Sequence, residues 1–279
     1  MSDFLPEFDL AAFVAATLAE DMGQGGDRTS AAVIPVDAIL TAVMDSRDPV
    51  TVAGLPIAAA FFRALDPDCT IEILMAEGET VAAGTDLMRI RGNARALLAA
   101  ERSALNTVQH LTGIATLTRT YVDAIAGTGA ILLDTRKTLP GLRVIEKYAT
   151  RMGGATNHRM RLDDGVMIKD NHIAVAGGVE PAVRAAKAAG LRDVVVEVDT
   201  LEQIPPALAA GADRLLLDNM GPVMLRQAVA LIAGRVPTEA SGGVNLQTIR
   251  AIAETGITYI SVGRITQSAP AADIGLDFA

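Results

Sequence analysis

Residues 134–172 read DTRKTLPGLRVIEKYATRMGGATNHRMRLDDGVMIKDNH. The stretch opens and closes on the same figure, a short apolar run that ends in polar residues. ILL runs into Asp134, Thr135, Arg136 and Lys137, and VMI runs into Lys169, Asp170 and Asn171. Outward from here the figure recurs. AILLD, GVMIKD, DVVVEVD, DRLLLDN, VPTEAS and YISVG alternate with helix-like stretches from residue 129 onward. Apolar strands alternating with helices predict a parallel sheet with crossover helices. The later runs end in Glu197, in Asp218 and Asn219, in Ser241, Gly242 and Gly243, and in Gly263. Chemistry gathered at strand C-termini suits an α/β barrel. An open α/β sheet also binds ligands there, so six visible strands leave that choice open.

The quoted stretch is also a basic island. It carries eight of the chain's 24 Lys and Arg against five acids, so it is net +3 within a −9 protein whose remainder is −12. That pattern points to a small anionic ligand rather than a polyanion. A nucleic-acid surface more often gives a basic chain, and here the pI is ≈ 4.9. A charge run is commonly a solvated, salt-bridged helix. These charges instead sit beside Gly153, Gly154, Asn157, His158 and Asn171.

A chain of 279 residues, half of them hydrophobic, has room for one large domain or two modest ones. Aromatics are 3% with no Trp, which argues against base-stacking platforms. The single Cys69 excludes an internal disulfide and fits a reducing compartment. The N-terminal MSDFLPEFD lacks the basic and apolar regions of an export signal, and no stretch is long and apolar enough to span a bilayer. The expectation is a cytoplasmic protein with no nucleic-acid or membrane partner.

Up to about residue 112 the texture differs. Helices are expected over 10–19 and 56–65, and short strands over 41–44, 50–53, 71–75 and 87–91. Residues 97–126 carry apolar positions at helical spacing, as one long helix or two joined near Gly113.

The final two strand ends read as an anion cradle. Ser241-Gly242-Gly243 precedes a predicted helix, and Gly263 ends the next strand. Glycines let backbone N–H groups approach an anion, and barrels commonly bind phosphate after their last strands. Glu197 and Asp218 would accept from sugar hydroxyls or hold Mg²⁺ through water.

Taken together, DTRKT-PG-R, GG-xx-NHR, KDNH, VEVD, LLDN and SGGV resemble the quinolinate phosphoribosyltransferase family. The early Glu20-Asp21 to Asp27-Arg28-Thr29 signature and the helix start from Glu101 to Asn106 extend the likeness over essentially the whole chain. It implies an N-terminal α/β sandwich, 1–112 with the tail 271–279, and an open parallel α/β barrel (TIM-like), 113–270. It implies transfer of phosphoribosyl from phosphoribosyl pyrophosphate to quinolinate with loss of CO₂, with Mg²⁺ as cofactor. The implied partner is a second copy, in a homodimer with shared active sites; larger oligomers stay open. Arg102 would come from the partner subunit and, with Arg136, His158, Arg159 and Lys169, hold the two carboxylates of quinolinate. Lys137 would face phosphoribosyl pyrophosphate. Glu197 and Asp218 would contact ribose and the Mg²⁺ shell, with no direct protein ligand to the metal. Ser241, Gly242, Gly243 and Gly263 would cradle the 5′-phosphate. Lys137, Lys169, Glu197 and Asp218 are the expected catalytic groups. Departures are Ala155 in place of a third glycine, Arg264 and Gln267 in VGRITQS, and a longer ED…GD loop.

Three other readings compete. A phosphoribosyltransferase-like relative found with molybdate transport shares much of the pattern, but the intact KDNH favours the quinolinate enzyme. Lys169 at a strand end also suits a Schiff-base enzyme. EGETVAAGTDLMRIRG resembles a carrier hairpin, yet a carrier needs a modified lysine and the first lysine here is Lys137. Some residues carry plainer roles: His110 as a packed or capped histidine, His172 as a loop-orienting one, and Asp163-Asp164 as a turn or cap.

Overall fold

The computed structural model describes Leu5 and residues 8–278, so the reading of 1–9 as free of an export signal lies partly outside the described residues. In chain order the elements are α1 (Leu10–Met22), α2 (Arg28–Val33), β1 (Ile39–Ser46), β2 (Val50–Thr51), α3 (Leu55–Leu65), β3 (Thr70–Ile73), β4 (Thr80–Val81), β5 (Thr85–Asn93) and α4 (Ala94–Ala124). There follow β6 (Ile131–Leu133), α5 (Arg143–Met152), β7 (Met167–Ile168), α6 (Asp170–Ala176), α7 (Val179–Ala188), β8 (Val195–Val198), α8 (Ile204–Ala209) and β9 (Arg214–Asp218). The last are α9 (Pro222–Ile232), β10 (Thr238–Ser241), α10 (Ile249–Ala253), β11 (Tyr259–Ser261), α11 (Arg264–Gln267) and β12 (Ile274–Phe278). Two compact units divide within α4. The first takes the described residues to Arg119, Pro140–Gly154 and those from Ala269; the second takes Thr120–Leu139 and Ala155–Ser268.

In the first unit an antiparallel sheet runs in the order β12-β1-β5-β3. The C-terminal strand pairs with β1, Ile274 opposite Ser46 and Phe278 opposite Ala42. α3 buries Ile57, Phe61 and Phe62 completely. Pro56 sits in its first turn, where the missing N–H has no helical partner to lose. Glu77 closes that end, accepting from the Gly54 and Leu55 amides at 2.7 and 3.0 Å and from the Tyr148 hydroxyl at 2.5 Å. The open choice around Gly113 resolves to one continuous helix, α4. Gly113 serves packing instead, since a Cβ there would run into the Pro270 carbonyl.

The second unit is built on six parallel strands in the order β6-β11-β10-β9-β8-β7. The first strand lies beside the last, so the sheet curls round on itself. It stops short of closure: between β6 and β7 the described residues supply only the bridge Leu133↔Thr156. This is an open α/β barrel, which decides between the barrel and the open sheet. β8 is buried at all four positions, and Leu215 and Leu217 of β9 are wholly buried. Cover on both faces is why these strands read as continuous apolar runs. Among the described residues, no helix is long and apolar enough to cross a membrane.

Candidate active site

A cleft of about 670 Å³ opens in the second unit at the C-terminal ends of the strands, lined by residues that follow β6, β7, β9, β10 and β11. Arg136, Lys137, His158, Arg159, Lys169, Glu197, Asp218, Ser241, Gly242, Gly243 and Gly263 all line it. Arg102 is exposed on α4 in the first unit, whereas the cleft residues all belong to the second.

Just past β6, Asp134 is fully buried and ties two motifs together. Its carboxylate accepts from the His158 amide at 2.8 Å and from Asn157 Nδ2 at 2.5 Å. The DTRK and NHR segments are thereby held side by side. Lys137 is fixed at its backbone. Its N–H donates to Thr135 Oγ1 at 3.0 Å, and its carbonyl accepts from Thr266 Oγ1 at 2.6 Å. Arg159 Nη1 donates to the Gly165 carbonyl at 2.9 Å. Burial, and then the charge of Arg136, hold the Arg159 guanidinium below its ordinary pKa, with Asp164 opposing. Two cations kept this close favour an anion between them.

At the end of β7, the Lys169 amide donates to His172 Nδ1 at 3.0 Å, which is the loop-orienting role expected of His172. Lys169 Nζ lies 3.1 Å from Glu197 Oε2, so one candidate cation is paired with one candidate carboxylate. Asp218 ends β9 and accepts from Asn219 Nδ2 at 2.5 Å. Burial, then the charges of Glu197 and Asp199, push its carboxyl above the usual range, against Lys169 and Lys137. Carboxylate oxygens of Glu197, Asp199 and Asp218 lie within 4.8 Å of one another. Three hard oxygen donors this close, only partly offset by Lys169 and Lys137, suit a divalent cation.

The glycines divide by geometry. Gly242 has φ +88°, and a Cβ there would collide with the Asn219 side chain. Gly243 has φ +62°, and a Cβ there would meet nothing within 4 Å. Gly242 therefore packs the turn, while Gly243 leaves space open. His110 Nε2 meets the buried Glu146 Oε1 at 2.9 Å, a packed and partnered histidine. Asp164 accepts from the Met160 and Arg161 amides at 2.6 and 2.9 Å, closing a turn.

The site also holds residues that reading the chain passed over. Glu239 lines the cleft, and Asp199 joins the acidic group. Arg264 and Gln267, noted only as departures, line it too. Asp199 follows Glu197 by two residues, the spacing that puts side chains on one face of a strand, and that signal was available. Glu239 offered none, because a buried acid inside a strand looks like an exposed one until its neighbours are known.

An open α/β barrel carrying cations, carboxylates and a glycine turn at one strand rim suits an enzyme of anionic, phosphate-bearing substrates. Family models narrow this class: the quinolinate phosphoribosyl transferase C-terminal domain matches residues 114–277 and the N-terminal domain matches 27–112. The chain belongs to the quinolinate phosphoribosyltransferase family. It is 43% identical over 291 residues to the chloroplastic carboxylating nicotinate-nucleotide pyrophosphorylase of Arabidopsis thaliana, covering 97% of this chain and 83% of the relative. The Mycobacterium leprae carboxylating nicotinate-nucleotide pyrophosphorylase is 41% identical, with 97% and 98% covered. The crystal structure of the Ehrlichia chaffeensis nicotinate-nucleotide pyrophosphorylase superposes with a TM-score of 0.93 at 36% identity, covering 98% of this chain and 100% of that one.

Proposed function

We propose that this chain transfers the phosphoribosyl group of phosphoribosyl pyrophosphate to quinolinate and releases pyrophosphate and CO₂, leaving nicotinate mononucleotide. The observation that carries this reading is the convergence of Arg136, Arg159 and Lys169 with Glu197, Asp218 and the Gly242–Gly243 turn in one cleft. Quinolinate is a planar dianion, and guanidinium groups bind carboxylates through parallel hydrogen bonds. Arg136, Arg159 and Lys169 hold it, joined by Arg102 of the partner subunit in a two-fold dimer. The open space at Gly243 receives the 5′-phosphate, with Ser241 and Gly263 beside it. Lys137 faces the pyrophosphate.

The ring nitrogen attacks the anomeric carbon as the bond to pyrophosphate breaks. Positive charge develops on the ribose, and Glu197 and Asp218 stabilise it electrostatically. Glu197, Asp199 and Asp218 would hold Mg²⁺ nearby, and the ion would supply neutralisation of pyrophosphate charge. The product ring nitrogen is a cation. The carboxylate next to it leaves as CO₂, its bonding electrons stay on the ring carbon beside that cation, and a proton takes its place. No organic cofactor enters this sequence; the protein positions the partners and balances charge.

The test is incubation with quinolinate, phosphoribosyl pyrophosphate and Mg²⁺, with detection of nicotinate mononucleotide and CO₂ in equal amounts. Nicotinate in place of quinolinate is the control. Equal catalytic efficiency on the two acids would reject the reading, because three clustered cations exceed what a monocarboxylate needs.

A further inference from the structure

Glu239 lies inside β10 and is wholly buried, in register with Leu216 of β9 and Tyr259 of β11. A carboxylate so enclosed is costly unless partners meet it. Arg214 Nη1 stands 3.3 Å from Glu239 Oε2, and its guanidinium lies over the Tyr259 ring at 4.3 Å. His158 Nε2 stands 3.4 Å from the same oxygen. Burial works to raise the Glu239 pKa, yet His158, then the Ser261 hydroxyl and Arg214, bring it below the ordinary value.

The imidazole beside Glu239 has a direction. His158 Nδ1 accepts from the Arg159 amide at 2.7 Å. A ring that accepts at Nδ1 is neutral and carries its proton on Nε2. That proton faces Glu239. Neither His158 Nε2 nor Glu239 Oε1 meets a hydrogen-bond partner among the described residues, although the imidazole and the carboxylate stand side by side, with Nε2 3.4 Å from Oε2. Two buried polar atoms left apart would each cost free energy that the pairing recovers.

We propose that Glu239 is a positioning residue: through His158 it fixes the main chain at Arg159 and so sets where that guanidinium meets the acid substrate. The inference rests on the reading of this cleft as a quinolinate site. It gives His158 the work of a tie between the Glu239 carboxylate and the Arg159 main chain.

The chain has three histidines, so ¹⁵N-histidine NMR of the whole protein reads the ring directly, with His158→Asn identifying the signal. The wild type is expected to show the Nε2–H tautomer at neutral pH. Glu239→Gln keeps an accepting oxygen and should keep the pattern. Glu239→Ala should lose it and raise KM for quinolinate about ten-fold, with KM for phosphoribosyl pyrophosphate unchanged and Glu239→Gln restoring most of the difference. An Nδ1–H or imidazolium pattern in the wild type overturns the proposal. So does Glu239→Ala with tautomer and quinolinate KM intact, or with both KM values raised alike. Should Glu239→Ala not fold, the wild-type and Glu239→Gln spectra decide: Nδ1–H in either overturns the tie. An intact Nε2–H signature in a protein that never turns over quinolinate supports the tie and rejects the substrate assignment instead.

Discussion

Lys137 lies across the bare face of Gly263: a Cβ on Gly263 would stand 2.7 Å from Lys137 Cδ. The glycine that reads in the sequence as part of a phosphate cradle therefore also seats a lysine stem. Its φ of −72° is open to any residue, so the demand is for space and not for backbone freedom. Gly263→Ala should displace Lys137 and lower kcat about ten- to a hundred-fold, the scale of a misplacement near one ångström. Calorimetric binding of quinolinate should survive. An alanine variant with wild-type kcat would mean that Lys137 moves aside without consequence.

The two turn glycines should separate in their response. Gly243→Ala forces a side chain into the left-handed region, at about 1–2 kcal/mol, and places its methyl in the space assigned to phosphate. Gly242→Ala meets the same backbone strain and also strikes Asn219. Thermal melts should show the larger loss for Gly242→Ala, while titration with phosphoribosyl pyrophosphate should show weakened binding for both. Matching melting temperatures would show that Asn219 yields freely.

Asp218→Asn tests the acidic group from the stability side. Its carboxyl is raised by burial and then by Glu197 and Asp199, so its ionisation works against the fold. A carboxyl raised in the folded state contributes stability at low pH that is lost as pH rises through its folded value. Removing the charge should therefore raise Tm at neutral pH, on the order of 2 °C, with no gain in acid below the ordinary Asp range. Activity should fall by a hundred-fold or so, as loss of a preorganised electrostatic group does. Added Mg²⁺ should raise Tm of the wild type more than that of the variant. A variant destabilised at neutral pH would contradict this balance of charge.

Glu77→Ala addresses the first unit. The carboxylate serves two amides at the start of α3 and the Tyr148 hydroxyl, so truncation leaves three partners without it. A loss of about 3 kcal/mol or more is expected in urea unfolding, and Glu77→Gln should recover part of it. A loss under about 0.5 kcal/mol would place this contact among ordinary surface interactions.

Subunit mixing tests the shared site. Arg102→Ala and Arg136→Ala homodimers should each be nearly inactive. Random exchange of equal amounts makes about half the dimers hybrid, each with one intact site of two, so activity should return to about a quarter of wild type. With exchange verified by differential tags, activity fixed at the single-mutant level would place Arg102 in its own chain's site.

The barrel was legible because its strands are covered on both faces: DVVVEVD and DRLLLDN are β8 and β9 with their flanks. Their ends gave the cleft-lining residues directly, since a parallel barrel gathers strand C-termini on one rim. What escaped depends on contacts between residues distant in sequence. Gly113 left open whether one helix or two ran here, and only the approach of Pro270 shows it as a packing glycine. Glu239 sits in TEAS among small and polar residues, and nothing local marks it as buried between His158 and Arg214. The placement of α5 with the first unit, although it lies in sequence between β6 and β7, was equally invisible.

The unclosed seam between β6 and β7 sorts the rim by rigidity. Arg136, Arg159 and Lys169 stand on its two banks, after β6, after the single bridge at Thr156, and after the two-residue β7. Glu197, Asp218 and the turn glycines Gly242 and Gly243 stand on the continuous ladder from β8 to β11. The half of the rim assigned to the sugar-phosphate is thus anchored on both sides by strand pairing, while the half assigned to the aromatic acid lies where few backbone bonds resist movement. Amide exchange should be fastest along that bank. On the proposed assignment, changes at the seam should alter the fit of the acid more than that of the sugar donor.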